Sequence, residues 1–353
     1  MLGLGSSLNK GETPSGFGPD QFVMKITTNM GGDYPYDGVS NNSDSTSMKF
    51  YMPRVGTSTN KGHIDIDWGD GNTDTDVVDT ITHDYGTAGT YTIIITPGSS
   101  YVRGTAAGNV EFPPLNRWLF GGEFDCRKVI EILNWGCFGN NSSSVFNGCS
   151  NMTCSATDEP WDFTYTNRKP TNMSVYFRNC YSFNGTMSNW ATYTSTANRL
   201  DSFFFGCTSF NQPLTGWDTS NVTRLNQMFQ AATIFNQSLS HFDTSSVTTI
   251  NKMFNDNTAF DQDLGGWDIS NVTDFVNFMN SGGQSWSATN YNATLIGWAA
   301  QTVSQNESIS FGAADTLDGD VGAVSNSSNG EDAKNSLIAD DGWTITDGDG
   351  TET

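Results

Sequence analysis

The sequence predicts a mainly β chain with short helical turns, in which a strand-rich N-terminal domain precedes a solenoid. Three observations carry that expectation. One pattern of residues returns at a fixed step of 25 between Phe204 and Met279. Short apolar runs, alternating or clustered, lie between Gly-, Asn- and Asp-rich turns from Phe22 to Thr96. Only 15% of residues are charged, with Gly, Asn, Ser and Thr abundant, a balance that suits a loop-rich β protein better than a cytosolic enzyme.

Residues 1–20 read as an arm or tether, because Pro14, Gly16, Gly18 and Pro19 interrupt any regular element. Met1 to Lys10 show no basic segment followed by an apolar core of signal-peptide length, so the expectation is either a signal removed ahead of this numbering or none used. A β domain is expected over 21–100. Phe22-Val23-Met24-Lys25-Ile26 and Met48-Lys49-Phe50-Tyr51-Met52 read as strands. Ile64-Asp65-Ile66-Asp67-Trp68 alternates and runs into the turn Gly69-Asp70-Gly71-Asn72, whose glycines need positive φ. Thr82-His83-Asp84-Tyr85 and the strand Tyr91-Thr92-Ile93-Ile94-Ile95 follow. The carboxylates Asp65, Asp67, Asp70, Asp74 and Asp76 admit two readings, a Ca2+ loop or a turn braced by Asp side chains. Against the first, the glycine is misplaced for an EF-hand and no glutamate closes the loop. No other cofactor is expected.

The solenoid is expected over 101–280, clearest at 177–279. Val129 to Gly136 reads as a first coil strand and Phe146 to Met152 as a degenerate copy. Phe177, Cys180, Phe183, Asn184 and Trp190 then stand 27 residues before Phe204, Cys207, Phe210, Asn211 and Trp217. A unit of this size cannot bury its own aromatic side chains and must stack on the next. The expected core is Phe204, Phe210, Trp217, Val222, Phe229, Phe235, Phe242, Val247, Phe254, Phe260, Trp267 and Val272. Trp190, Trp217 and Trp267 share a register with Phe242, so their slot asks for apolar bulk; sugar-stacking platforms are the alternative. Asn226 to Phe229 reads as a helical turn. Alternation turns Val222 and Leu225 inward and Thr223, Arg224, Thr248, Thr249, Thr273 and Asp274 outward, where they form the candidate ligand face. Residues 281–353 make a C-terminal cap and acidic tail.

Six cysteines suggest disulfides or zinc, but Cys149, Cys180 and Cys207 fall in a slot that later holds Ala232 and Asn257. A small interior site filled by a thiol is the reading, since neither Cys-x-x-Cys nor a neighbouring His is present. The net charge of −22, from 38 acidic and 16 basic residues, repels phosphate backbones, so nucleic acid is not an expected partner. From Glu307 onward eleven carboxylates face one lysine. No apolar run reaches the roughly 18 residues of a membrane span, so no membrane insertion is expected. His63, His83 and His241 show no catalytic or ligand spacing, and no nucleophile elbow, P-loop or dinucleotide fingerprint appears.

Two stretches also carry resemblances. Asp67-Trp68-Gly69-Asp70-Gly71, His83-Asp84-Tyr85 and Gly89-Thr90-Tyr91-Thr92-Ile93 resemble the polycystic-kidney-disease-type (PKD) domain, which implies an immunoglobulin-like β-sandwich. Met-Phe, Phe-Asn-Gln, Trp-Asp and Ser-Asn-Val-Thr at their repeat offsets resemble the BspA-like leucine-rich-repeat surface proteins, which implies a leucine-rich-repeat-like solenoid. Tyr291 to Trp298 and Leu337 to Asp347 resemble that family's terminal cap, and the acidic stretch Gly312 to Gly330 departs from it.

The resulting expectation is a non-enzymatic, surface-exposed structural or adhesion protein. One setting is a bacteriophage virion, as a decoration, tail or host-contact protein, because a phage leaves by lysis and needs no export signal. The other is a secreted bacterial adhesin of BspA-like type on the cell surface. Partners are other virion proteins, a host-surface protein or a glycan, with the oligomeric state open. A carbohydrate-active enzyme is a remote alternative, since two carboxylates need only meet in space.

Overall fold

A computed structural model of the chain describes residues 16–18, 21–28, 48–52, 64–77, 81–98, 126–136, 143, 145–158, 170–279, 286–303, 307–311, 330–347 and 350–352. It is mainly β with few helices. Residues 1–15 of the expected arm and most of the acidic stretch, 312–329, lie outside the described residues.

The N-terminal region supplies β1 (Phe22–Thr27), β2 (Lys49–Met52), β3 (Ile64–Asp67), β4 (Thr73–Val77), β5 (Ile81–Asp84) and β6 (Thr90–Pro97). Two further strands, β7 (Val129–Asn134) and β8 (Thr153–Cys154), complete a six-stranded sheet in the order β4-β3-β6-β1-β7-β8, while β2 and β5 pair separately. The sequence of β1 explains its central place. Phe22, Val23, Met24 and Ile26 are all buried, as a strand covered on both faces requires. Its Lys25 reaches Glu131 on β7 at 2.6 Å.

β7 joins the two parts of the chain. It pairs antiparallel with β1 on one side and parallel with β8 on the other, Glu131 facing Thr153, so the sheet passes from meander to coil within one strand. Trp135, just beyond β7, is fully buried and meets Phe22, Phe146, Phe177 and Trp190. Gly136 follows with φ 40°, and a Cβ there would lie 1.9 Å from the Gln21 carbonyl oxygen, so no other residue fits without moving the backbone.

From Phe146 to Met279 successive copies lie one on another. The N–H groups of Leu200, Ser202, Phe204 and Gly206 donate to the carbonyls of Arg224, Asn226, Met228 and Gln230 in the next copy, at 2.8–3.1 Å. Those of Phe203 and Cys207 fold back to Leu200 and Phe204. This alternation needs a left-handed residue at two places per copy. Ser202, Gln227 and Lys252 take one, at φ 54–58°, and Gly206, Ala231 and Asp256 the other, at φ 56–71°. The helical turn expected at Asn226 to Phe229 is therefore a β-turn centred on Asn226 and left-handed Gln227. A helix would direct every N–H to its own copy and leave the neighbouring copy unbonded.

Two phenylalanine ladders run along the axis. Phe177, Phe204, Phe229 and Phe254 succeed one another at 5.7–6.0 Å, and Phe183, Phe210, Phe235 and Phe260 at 5.7–6.2 Å, their rings nearly parallel. These spacings are those of offset-stacked rings. All twelve expected core residues are at most 4% exposed. The 27-residue copy accommodates its extra length in a short helix, α1 (Ala191–Thr194), directly after Trp190.

The far end is closed by α2 (Ala288–Ala299), β9 (Ser308–Ser310), α3 (Gly330–Ala339), β10 (Thr344–Asp347) and β11 (Gly350–Glu352), with sheet order β11-β10-β9. Trp298, Phe311 and Trp343 cover Phe275 and Phe278 of the last copy. Met279 N–H donates to Ser310, so β9 continues the stack into the cap.

Candidate ligand face of the coil stack

The rows 172–179, 199–206, 224–231, 249–256 and 274–279 lie side by side and form one front face. Parallel bridges Asn172 to Arg199, Arg199 to Arg224 and Arg224 to Thr249 set its register. The six residues expected to form a ligand face divide into two groups here. Thr248 and Thr273 are exposed and Thr223 half-buried, but each hydroxyl donates to a carbonyl of the preceding copy: Thr223 to Asn198, Thr248 to Thr223 and Thr273 to Thr248, at 3.1, 3.1 and 3.4 Å. Arg224, Thr249 and Asp274 are half-buried and belong to a polar network. Arg224 Nε donates to Asp201 at 3.2 Å; Thr249 donates to Asn226 and Asp274; Asn251 Nδ2 donates to Asp274. Much of the hydrogen-bonding capacity of these six residues is thus committed to holding copies together.

Several residues on the same face were not picked out from the sequence. Arg178 lies with its guanidinium carbon 4.6 Å from the centroid of half-buried Phe205. Arg199 is exposed, and Gln227 and Gln230 bond to each other at 2.8 Å. All four Lys and Arg residues of 170–279, namely Arg178, Arg199, Arg224 and Lys252, fall on this face. The exposed Asp218, Asp243, Asp263 and Asp268 lie elsewhere on the stack. The signal that could have found the face is variability: through the copies from Ser202 to Thr273 its columns read Phe/Gln/Asn and Ser/Gln/Lys, with Arg178 and Val175 in the copy before, whereas the Asp218, Ser220 and Thr223 columns do not change over those three copies.

Residues 140–240 and 198–324 match the family described as Mycoplasma protein of unknown function, DUF285. Together the matches span 140–324, more than half of the chain. The chain belongs to the DUF285 family. It is a repeat family of BspA-like kind, in agreement with the resemblance carried by the repeats. Comparison with curated proteins finds no match, and comparison with solved structures finds none.

Within the DUF285 region the recurring polar motifs are struts. In Phe-Asn-Gln and its counterpart Phe183-Asn184-Gly185, each Asn side-chain carbonyl accepts the backbone N–H and the Gln amide of the next copy: Asn184 from Asn211 and Gln212, Asn211 from Asn236 and Gln237, Asn236 from Asp261 and Gln262. At the end of this ladder Asp261 accepts from Ser287, the N-cap of α2, at 2.9 Å. Trp190, Trp217 and Trp267 are at most 3% exposed, which closes the sugar-platform alternative for them. Trp217 and Trp267 donate their indole N–H to the Met187 and Leu239 carbonyls. His241, on the surface, donates through Nε2 to the equivalent Leu214 carbonyl. Cys149, Cys180 and Cys207 are fully buried; burial and neighbouring thiols push Cys149 and Cys180 well above the usual thiol range, and burial does the same to Cys207.

The Asp-rich turn lies outside the DUF285 match, and its carboxylates do not converge. Asp65 accepts from Asp76 N–H, Asp67 from Gly69 N–H and Asp74 from Trp68 Nε1, while Asp70 meets His83 Nε2 at 2.7 Å. His83 stacks on Trp68, and Tyr85 donates to the Trp68 carbonyl, so the motif holds the β3 end to β5. Among the described residues no group of three or more His, Cys, Asp or Glu side chains is placed to hold a metal ion.

Proposed function

We propose that this DUF285 protein is a non-enzymatic recognition protein displayed on a surface, that of a virus particle or of a bacterial cell, and that the front face of its coils makes the contact. In this reading residues 146–279 are a leucine-rich-repeat-like solenoid closed at both ends, and 21–98 an immunoglobulin-like sandwich of PKD type acting as a spacer. The observation that carries it is the front face itself. Varied Arg, Phe, Gln, Asn and Lys side chains stand there on a scaffold whose Phe, Asp218, Ser220 and Val222 columns repeat through the copies from Phe204 to Val272, which is how a stacked scaffold presents a binding surface. The shared strand β7 supports the spacer role, because it pairs with β1 of the N-terminal region on one side and with β8 at the first coil on the other.

The test has two parts. Antibody labelling of intact particles and cells should decorate their surface, and the purified chain should attach to host cells. Changing Gln227, Gln230 and Asn255 together to Ala should reduce attachment, whereas changing Thr215, Ser238 and Ser240 to Ala should not. Label confined to the cell interior, or attachment equally sensitive to both sets, would refute the proposal.

A further inference from the structure

We infer that the first three rows of the front face bind a carboxylate-bearing saccharide, Arg178, Arg199 and Arg224 taking the carboxylates and Tyr181 a sugar ring. The inference deepens the surface-recognition proposal and rests on it.

Charge placement comes first. In a chain of net charge −22, rows 172–179, 199–206 and 224–231 hold three arginines against the single carboxylate Asp201. Field from distant carboxylates is screened over roughly 8 Å at physiological salt, so the local balance governs a ligand in contact. The individual arginines are also poised. The Arg178 guanidinium carbon lies over the Phe205 ring, 4.6 Å from its centroid, and its Nε is enclosed without a hydrogen-bond partner among the described residues. A guanidinium held this way keeps its terminal amino groups as a preorganised fork for a carboxylate. Arg199 and Arg224 are bridge partners one copy apart, an arrangement that like charges disfavour. Arg224 is compensated by Asp201, while Arg199 is exposed with no hydrogen-bonding or ionic side-chain partner among the described residues.

The neighbouring surface points to a sugar over a peptide. Tyr181 is 39% exposed, and Gly206 stands beside it: a Cβ there would lie 3.6 Å from the Tyr181 ring. A Cβ at Gly206 would also lie 2.6 Å from Asn179 Oδ1, so glycine is required there and keeps the backbone close beside the exposed Tyr181 ring. Asn226, Gln227 and Gln230 add amide NH2 groups that can donate to hydroxyl oxygens, while their carbonyl oxygens already accept from Thr249, Ser202 and Gln227. Three arginines are few for a phosphate backbone.

The test measures binding of the full chain to immobilised oligogalacturonate and to a sialyl-oligosaccharide, with dextran and poly-glutamate as comparators. Binding should appear for the two acidic saccharides, weaken between about 50 and 300 mM salt, and fall by about tenfold in Arg199→Gln and in Arg178→Gln. Asp218→Asn, away from the front face, should bind as the parent does. Circular dichroism checks the fold of each variant; should Arg178→Gln not fold, exposed Arg199→Gln decides. No binding to either acidic saccharide, equal binding to dextran or to poly-glutamate, or binding unchanged in the arginine variants would overturn the inference. Cell attachment that persists in the arginine variants would overturn it while leaving the broader surface-recognition proposal intact.

Discussion

One carbonyl in each copy should report how the stack repairs a lost tryptophan. Met187, Leu214, Leu239 and Leu264 carbonyls each accept the N–H three residues on, and each accepts a second hydrogen bond from a side chain one copy later. The donors are Trp217, His241, Trp267 and Trp298, at 2.8, 2.8, 3.0 and 2.9 Å. In the copy where Phe242 replaces tryptophan, the imidazole one residue earlier supplies the missing donor. A carbonyl only accepts, so Nε2 carries the hydrogen. Removing the ring in His241→Gly leaves Leu214 with its local bond from Trp217 N–H, and exposed His241 leaves water in reach, so the loss should be about 0.5–1 kcal/mol. Phe242→Trp alone sets two donors against one carbonyl. The double variant restores the Gly-Trp of the neighbouring copies and should recover the stability that His241→Gly loses. Urea unfolding of the four proteins gives the coupling, expected at about 1 kcal/mol in favour of the double variant. Additive effects, or a His241→Gly variant as stable as the parent, would refute the exchange of donors.

Val175 holds φ 63°, where a β-branched side chain is strained, so Val175→Gly should raise stability by about 1 kcal/mol in the same assay; a loss would show that its packing outweighs the strain. Trp267→Ala removes a ring 1% exposed and should cost about 3–5 kcal/mol, a loss under about 1 kcal/mol being incompatible with burial between copies. Asn236→Ala strips the acceptor of Asp261 N–H and Gln262 Nε2 and should cost about 1–3 kcal/mol, with hydrogen exchange rising first at Asp261. Burial pushes the Asp70 carboxyl up, but hydrogen bonds from His83 and Asn72 outweigh it and hold it below the usual range. Its stabilising contribution is thus present above the ordinary carboxylate pKa and lost as pH falls through the lowered one; in His83→Phe the acid limb of a stability–pH curve should flatten.

The core was legible because aromatic residues at a step of 25 leave few alternatives: Phe204, Phe229 and Phe254 are too large to repeat by chance on a solvated surface. Polar repetition was less readable. A threonine column at 223, 248 and 273 looks the same from sequence whether its hydroxyls face a ligand or, as here, the preceding copy. The Asn of Phe-Asn-Gln hid its strut role for the same reason. The left-handed turns escaped notice because Ser202, Gln227 and Lys252 are not residues that favour positive φ, and only their coil-to-coil hydrogen bonds make the conformation necessary. Arg178 aligns with Phe205, Gln230 and Asn255 only when the two residues added around α1 are placed beyond it, and β7 gains its second role through a pairing with β1 more than a hundred residues earlier. Non-local hydrogen bonds are what a period cannot encode. A period shows which residues must be buried; where a column ceases to repeat, burial and hydrogen bonds decide its role, the slot of Cys207, Ala232 and Asn257 and the network of Arg224, Thr249 and Asp274 serving the stack while Arg199, in the same column as Arg224, stands exposed.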